Sequence, residues 1–145
     1  DADSLVEMAR RAGKLDDSFI RQEIARVEAY AAVNRWNTQR AKATSDRAEA
    51  ATLLALGKIA MSRILHETAK VQTEIAGPES MLSGPEKNPV GGDAVTFRTL
   101  NAYFTSIGGG TDQIQRNIVG ERVLGLPKEP EPFRNTAFRE LPTSS

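Results

Sequence analysis

The stretch with the most chemical potential is Gly108-Gly109-Gly110-Thr111-Asp112-Gln113-Ile114-Gln115-Arg116-Asn117-Ile118. Its chemistry is that of the backbone rather than of a nucleophile. Three successive glycines let the main chain bend sharply and let a ligand approach, because no Cβ stands in the way. Thr111 then opens a helix whose first N–H groups lack intrahelical acceptors and carry the positive end of the helix dipole. Such an end suits an anion, phosphate above all. Gln113, in the first turn, offers a side-chain amide to the same ligand. Two features pull the other way. A Gly-rich loop ahead of a capped helix is also an ordinary connection, and Asp112 opposes an anion unless its side chain points away.

Other chemistries find little support. The chain has no cysteine, so disulfides and thiolate chemistry are excluded. His66 is the single histidine, which rules out a multi-histidine metal site within one chain. It stands beside Leu65 with no Ser or Cys nucleophile next to it, and it reads as a structural or surface residue. Arg63, not Glu, precedes it by three, so the Glu-x-x-His pattern of di-iron bundles is missing. Glu23 with Glu28, and Glu67 with Glu74, lack the spacing of three or four that pairs carboxylates on a helix. Tyr30 and Trp36 read as packing or interface residues, and Arg116 and Arg122 as packing or ion-pair residues with a ligand role left open.

The 145 residues suffice for one domain with its own core. Lys+Arg and Asp+Glu both number 19, which gives no general attraction to nucleic acid or to anionic membrane. No apolar run reaches the roughly 18 residues of a membrane span. The opening Asp-Ala-Asp-Ser-Leu-Val-Glu has neither the basic nor the apolar part of a signal peptide. With no cysteine, the expectation is a cytoplasmic protein. The missing initiator Met suggests a fragment.

The elements that must position the glycine turn are helices. Asp3 or Ser4 can cap a short one through Leu5, Met8 and Ala12, closed by Gly13. Leu15-Asp16-Asp17-Ser18 starts a second, with Ile20, Ile24, Val27, Ala31 and Asn34 on one face, running to about Ala43. Asp46-Arg47-Ala48-Glu49 has capping-box form and starts a third, to about Ile75. Its stripe of Leu54, Met61, Leu65, Thr68 and Ile75, widened by Leu56, Ile59, Ala60 and Ile64, predicts packing on several sides. With a few residues between them, the two long helices should lie antiparallel. Residues 77–93, rich in Gly and Pro, read as a loop. A shorter helix over about 94–106 offers Phe97, Leu100, Ala102 and Phe104 for packing. The helix opened by Thr111 runs to about Leu124, where Gly125 and Pro127 stop it. The fold expected is all-α, an up-and-down four-helix-type bundle over residues 1–127, with residues 128–145 an extended or frayed tail.

Gly110-Thr111-Asp112-Gln113-Ile114-Gln115-Arg116-Asn117-Ile118, followed by Glu121-Arg122-Val123-Leu124-Gly125-Leu126-Pro127, resembles the C-terminal signature of acyl-CoA dehydrogenases. Leu15-Asp16-Asp17 with Arg21-Gln22, and Ala76-Gly77-Pro78, are similar to the family too, so the resemblance spans about Leu5 to Pro130. It implies the C-terminal helical domain of a longer flavoprotein, with the N-terminal and middle domains absent from this chain. In that family FAD lies between the three domains. A glutamate removes the α-proton of an acyl-CoA, the β-hydrogen leaves as hydride, and electrons pass from the 2-enoyl-CoA-forming enzyme to an electron-transfer flavoprotein. Carried over by position, Thr111, Asp112 and Gln113 touch FAD. The Gly109 N–H bonds the thioester carbonyl of the substrate, and Gly110 lines the same pocket. A homotetramer or heterotetramer is implied.

The pattern breaks in two places. Many members carry the catalytic glutamate immediately before the Gly-Thr pair, where this chain has Gly109, so no catalytic residue is assigned here. Three readings stand open: the base lies on a helix upstream of Asp1, it belongs to a partner subunit of which this chain is a non-catalytic helical companion, or it is lost. Family members also place a Gln three residues before a Gly-Gly pair to reach a neighbouring subunit's FAD. Glu74, Gly77 and Pro78 stand there instead, and a carboxylate repels a pyrophosphate.

Overall fold

Two aspartates start the two long helices. Asp17, in extended conformation, accepts hydrogen bonds from the Phe19 and Ile20 backbone N–H groups and caps one helix, Ser18–Ala43. Asp46 does the same for Ala48 and Glu49 at the start of the other, Arg47–Ala76. Each cap satisfies amide donors that a helix cannot satisfy internally, a contribution of about 1 kcal/mol. The capping box at Asp46 forms by half. Glu49 does not reach back to the Asp46 N–H, which donates to Thr44 Oγ1 instead. It accepts from Thr44 Oγ1 at 2.7 Å and from Arg40 at 2.7 Å. These bonds, Thr44's foremost, hold its carboxyl below the ordinary glutamate range.

The computed structural model describes residues 2–82 and 93–142. Its helices are α1 (Ala2–Arg11), α2 (Ser18–Ala43), α3 (Arg47–Ala76), α4 (Asp93–Ile107) and α5 (Asp112–Arg122). Short 3-10 turns occupy Gly77–Met81 and Phe138–Glu140, and no strand occurs among the described residues. The all-α expectation therefore holds. α1 begins ahead of Asp3 and Ser4, so neither is its cap. The Gly/Pro-rich loop falls partly outside the described residues, including Gly84, Pro85, Pro89, Gly91 and Gly92.

α2 and α3 are antiparallel, because their partners run in opposite chain order. Glu23 meets Lys70, Arg26 meets Glu67, Tyr30 meets Arg63 and Arg40 meets Glu49. α3 is the central helix and touches α1, α2, α4 and α5. The core gathers at one end of the α2–α3 hairpin. It consists of Leu5, Met8 and Ala9 from α1, Ile20, Ile24 and Val27 from α2, Val71, Ile75 and Ala76 from α3, and Val95 from α4. Full burial of a side chain such as Leu5 or Ile75 contributes about 1.5–3 kcal/mol.

The α2 stripe packs as its periodicity predicts, whereas the faces predicted on α3 and α4 pack only in part, through Ile75 and Ala102. Leu54, Leu56 and Met61 of α3 are exposed, and the buried line instead carries Ser62 and Gln72. On α4, Val95 and Ala102 are buried while Phe97, Leu100, Phe104 and Ile107 point outward. The small residues of α4 face α3 because helix axes approach closely where no long side chain intervenes.

Candidate functional site

The glycine turn lies between the end of α4 and the start of α5. Gly108 donates its N–H to Phe104 O at 2.7 Å and closes α4. Gly109 (φ 70°) and Gly110 (φ 94°) then take the left-handed region, where a Cβ clashes with its own backbone. A Cβ placed on Gly109 meets nothing within 4 Å. The space beside its Cα is thus open rather than filled by packed side chains. Gln115 ties the turn at the surface, its Nε2 donating to Gly109 O at 3.3 Å.

Thr111 caps α5 as its position predicts. Its backbone is extended, and Oγ1 accepts from the Ile114 N–H at 3.2 Å. Gln113 is exposed one residue into the helix. Asp112 settles the electrostatic conflict seen in the sequence, because its side chain turns into the bundle. Oδ2 accepts from Ser62 Oγ at 2.7 Å, and Oδ1 lies 3.3 Å from Lys58 Nζ. Burial raises the carboxyl's pKa. The bonds from Ser62 and Lys58, with the charges of Lys58 and Arg116, outweigh that and hold it below the ordinary aspartate value. The carboxylate is therefore ionised near neutrality and already partnered. The outer side of the first turn keeps its positive end.

Lys58 joins two helix ends of opposite polarity. Its Nζ donates to Thr105 O at 2.6 Å, in the last turn of α4, and faces Asp112 at the start of α5. A cation is favoured at a helix C-terminus and an anion at an N-terminus. Farther along α3, Ser62 Oγ lies 2.8 Å from Ser106 Oγ, which lies 2.6 Å from His66 Nε2. The His66 ring meets Tyr103 edge-on at 4.9 Å. His66 thus finds a serine 40 residues away that its sequence neighbours do not reveal. A cleft of about 240 Å³ opens at this end, lined by His66, Lys70, Thr73, Glu74, Thr99 and Tyr103.

The sequence reading missed Lys58, Ser62 and Ser106. A signal for two of them existed: Lys58, Ser62 and His66 recur every four residues and so share one face of α3. Ser106 carries no such mark.

The remaining candidates sit elsewhere. Arg116 and Arg122 are exposed. After α5 the chain folds back, with Leu126 N–H donating to Gly120 O at 2.9 Å, and a cleft of about 310 Å³ forms between Arg116, Asn117, Gly120, Glu121, Leu126 and Pro127. Glu74 has one oxygen 3.7 Å from Lys70 and the other buried without a hydrogen-bond partner, while its backbone O accepts from Lys14 at 2.8 Å. Tyr30 accepts a bond from Arg63 and stacks under its guanidinium, 4.4 Å from the ring centroid. Trp36 is 64% exposed. No helix among the described residues is long and apolar enough to cross a membrane.

Comparison with known proteins places this architecture among relatives. A family model described as "Acyl-CoA dehydrogenase, C-terminal domain" matches residues 3–124. Acyl-CoA dehydrogenase IpdE1 of Mycolicibacterium smegmatis is 30% identical over 126 residues, covering 87% of this chain and 30% of that protein. Acyl-CoA dehydrogenase IpdE1 of Mycobacterium tuberculosis is 30% identical over 135 residues, covering 87% of this chain and 31% of that protein. The chain thus spans about a third of the length of these curated relatives. No solved structure matches it.

Proposed function

This chain belongs to the acyl-CoA dehydrogenase family, as a C-terminal domain, and on that premise we propose that it is part of an FAD-dependent enzyme converting an acyl-CoA thioester to the 2-enoyl-CoA. The observation that carries the reading is the turn ahead of α5. It combines two left-handed glycines, open space at Gly109, a capped helix start, and a neighbouring carboxylate turned inward and paired.

Thr111, Asp112 and Gln113 would hold the FAD. Thr111 and Gln113 present a hydroxyl and an amide, and Asp112 contributes through its backbone while its carboxylate anchors the helix. Bound flavin supplies the hydride acceptor for the β-hydrogen. The Gly109 N–H donates to the thioester carbonyl, drawing charge toward oxygen and making the α-proton more acidic. Gly110 lines the same pocket. The base that takes this proton comes from outside the turn, since Gly109 has no side chain. Electrons leave to an electron-transfer flavoprotein. The exposed apolar residues of α4, with Leu54, Leu56 and Met61 of α3, suit a homotetramer or heterotetramer. The compartment proposed is the cytoplasm.

Gly109 also favours a second arrangement, a non-catalytic helical subunit whose partner supplies the glutamate. Assay of the purified polypeptide with and without its co-purifying partner separates the two.

The reading is tested by Thr111→Ala/Gln113→Ala in the full-length protein. Hydrogen bonds to charged groups contribute about 1.5–3 kcal/mol each, so FAD affinity should fall by roughly two orders of magnitude. A Thr111→Ser control keeps both cap and hydroxyl and should retain flavin. Full flavin occupancy and unchanged dissociation on dilution in the double variant would refute the assignment.

A further inference from the structure

Four side chains from three helices form one unbroken hydrogen-bonded line: His66 Nε2 to Ser106 Oγ (2.6 Å), Ser106 Oγ to Ser62 Oγ (2.8 Å), and Ser62 Oγ to Asp112 Oδ2 (2.7 Å). Counting protons gives the line a direction. The ionised carboxylate only accepts, so the Ser62 hydroxyl proton is committed to it. The Ser62–Ser106 contact then needs its proton from Ser106. Were that proton turned to Ala102 O, 3.3 Å away, or to His66, two serine oxygens would face each other at 2.8 Å with none between them. Ser106 must therefore accept from His66, which fixes the ring as an Nε2–H donor. The same count excludes Ser106 as a nucleophile activated by His66, because a general base needs a bare nitrogen facing the hydroxyl.

The line ends on the first residue of α5, and Ser62 at its centre is only 1% exposed. We propose that Ser62, Ser106 and His66 are positioning residues that lock the first turn of α5 onto α3 and so fix Gly109, Gly110 and Thr111 for flavin and thioester, a role that rests on the function proposed for that turn.

The test uses the full-length protein with Ser62→Ala, Ser106→Ala, the double Ala variant and Ser106→Thr. Two quantities are read: hydrogen exchange of the amides in residues 108–116, and the flavin dissociation constant. Ser62→Ala removes a bond to a charged group, so exchange should quicken about tenfold or more, with a parallel loss of flavin affinity. Ser106 reaches Asp112 only through Ser62, so the double variant should be no worse than Ser62→Ala alone. Ser106→Thr restores the hydroxyl and should restore both readings. Unchanged exchange in Ser62→Ala, or effects of the two serines that simply add, overturns the relay. Faster exchange with unaltered flavin affinity overturns its role in positioning the ligand. A wild-type protein that takes no flavin refutes the function proposed for the turn, and the exchange readings still decide the relay.

Discussion

Replacing Lys58 by Met removes a charge and a donor while keeping most of the side chain's volume. Its Nζ donates to Thr105 O at 2.6 Å and lies 3.3 Å from the Asp112 carboxylate. The first is a hydrogen bond from a charged group, about 1.5–3 kcal/mol. The ion pair is mostly covered, with side chains 20% and 17% exposed, and should hold about 1 kcal/mol, the top of the range for exposed pairs. Part of the total survives because Ser62 still bonds Asp112, so Lys58→Met should cost about 2–3 kcal/mol. Urea denaturation of the full-length protein reads this as a lowered midpoint at unchanged slope. Asp112→Asn keeps the Ser62 bond but loses the attraction to Lys58. The two variants share one interaction, and their costs should not add. A loss under about 0.5 kcal/mol in Lys58→Met, the size of an ordinary surface change, or strict additivity with Asp112→Asn, would show that Lys58 does not join the two helix ends.

Asp112 also sets an acid limit. Its carboxyl is held below the ordinary value of 3.8, so its stabilising contribution is complete above that pH and drains away as pH falls through the lower folded-state value. Proteolysis within residues 108–116 should accelerate only in that acid range, and Asp112→Asn should abolish the change. Gly109→Ala places a Cβ where φ is 70° and nothing lies within 4 Å. The expected cost is backbone strain of about 1–2 kcal/mol without a clash, accompanied by a raised KM for acyl-CoA; stability and kinetics both equal to wild type would refute it. Asp46→Ala removes the cap of α3 and should lower stability by about 1 kcal/mol in the same urea titration, with flavin binding unchanged.

The helices were legible because their signals are local. Asp17, Asp46 and Thr111 mark starts by chemistry that needs only the next three residues, and the α2 stripe of Ile20, Ile24 and Val27 records its buried face directly. The glycine turn was legible for the same reason, since only glycine takes the φ values found at Gly109 and Gly110 without strain. What the chain alone could not decide is which face of α3 and α4 turns inward. Leu54, Met61, Phe97 and Phe104 have the composition of a core, yet they are exposed. Burial depends on which helix lies opposite, and close approach of α4 to α3 selects Ala102 and Ser62 over larger neighbours. The direction of Asp112 was likewise a tertiary matter. Arg116, four residues on, adds only its charge, and the cation and hydroxyl that bond it and turn it inward come from Lys58 and Ser62, 54 and 50 residues away.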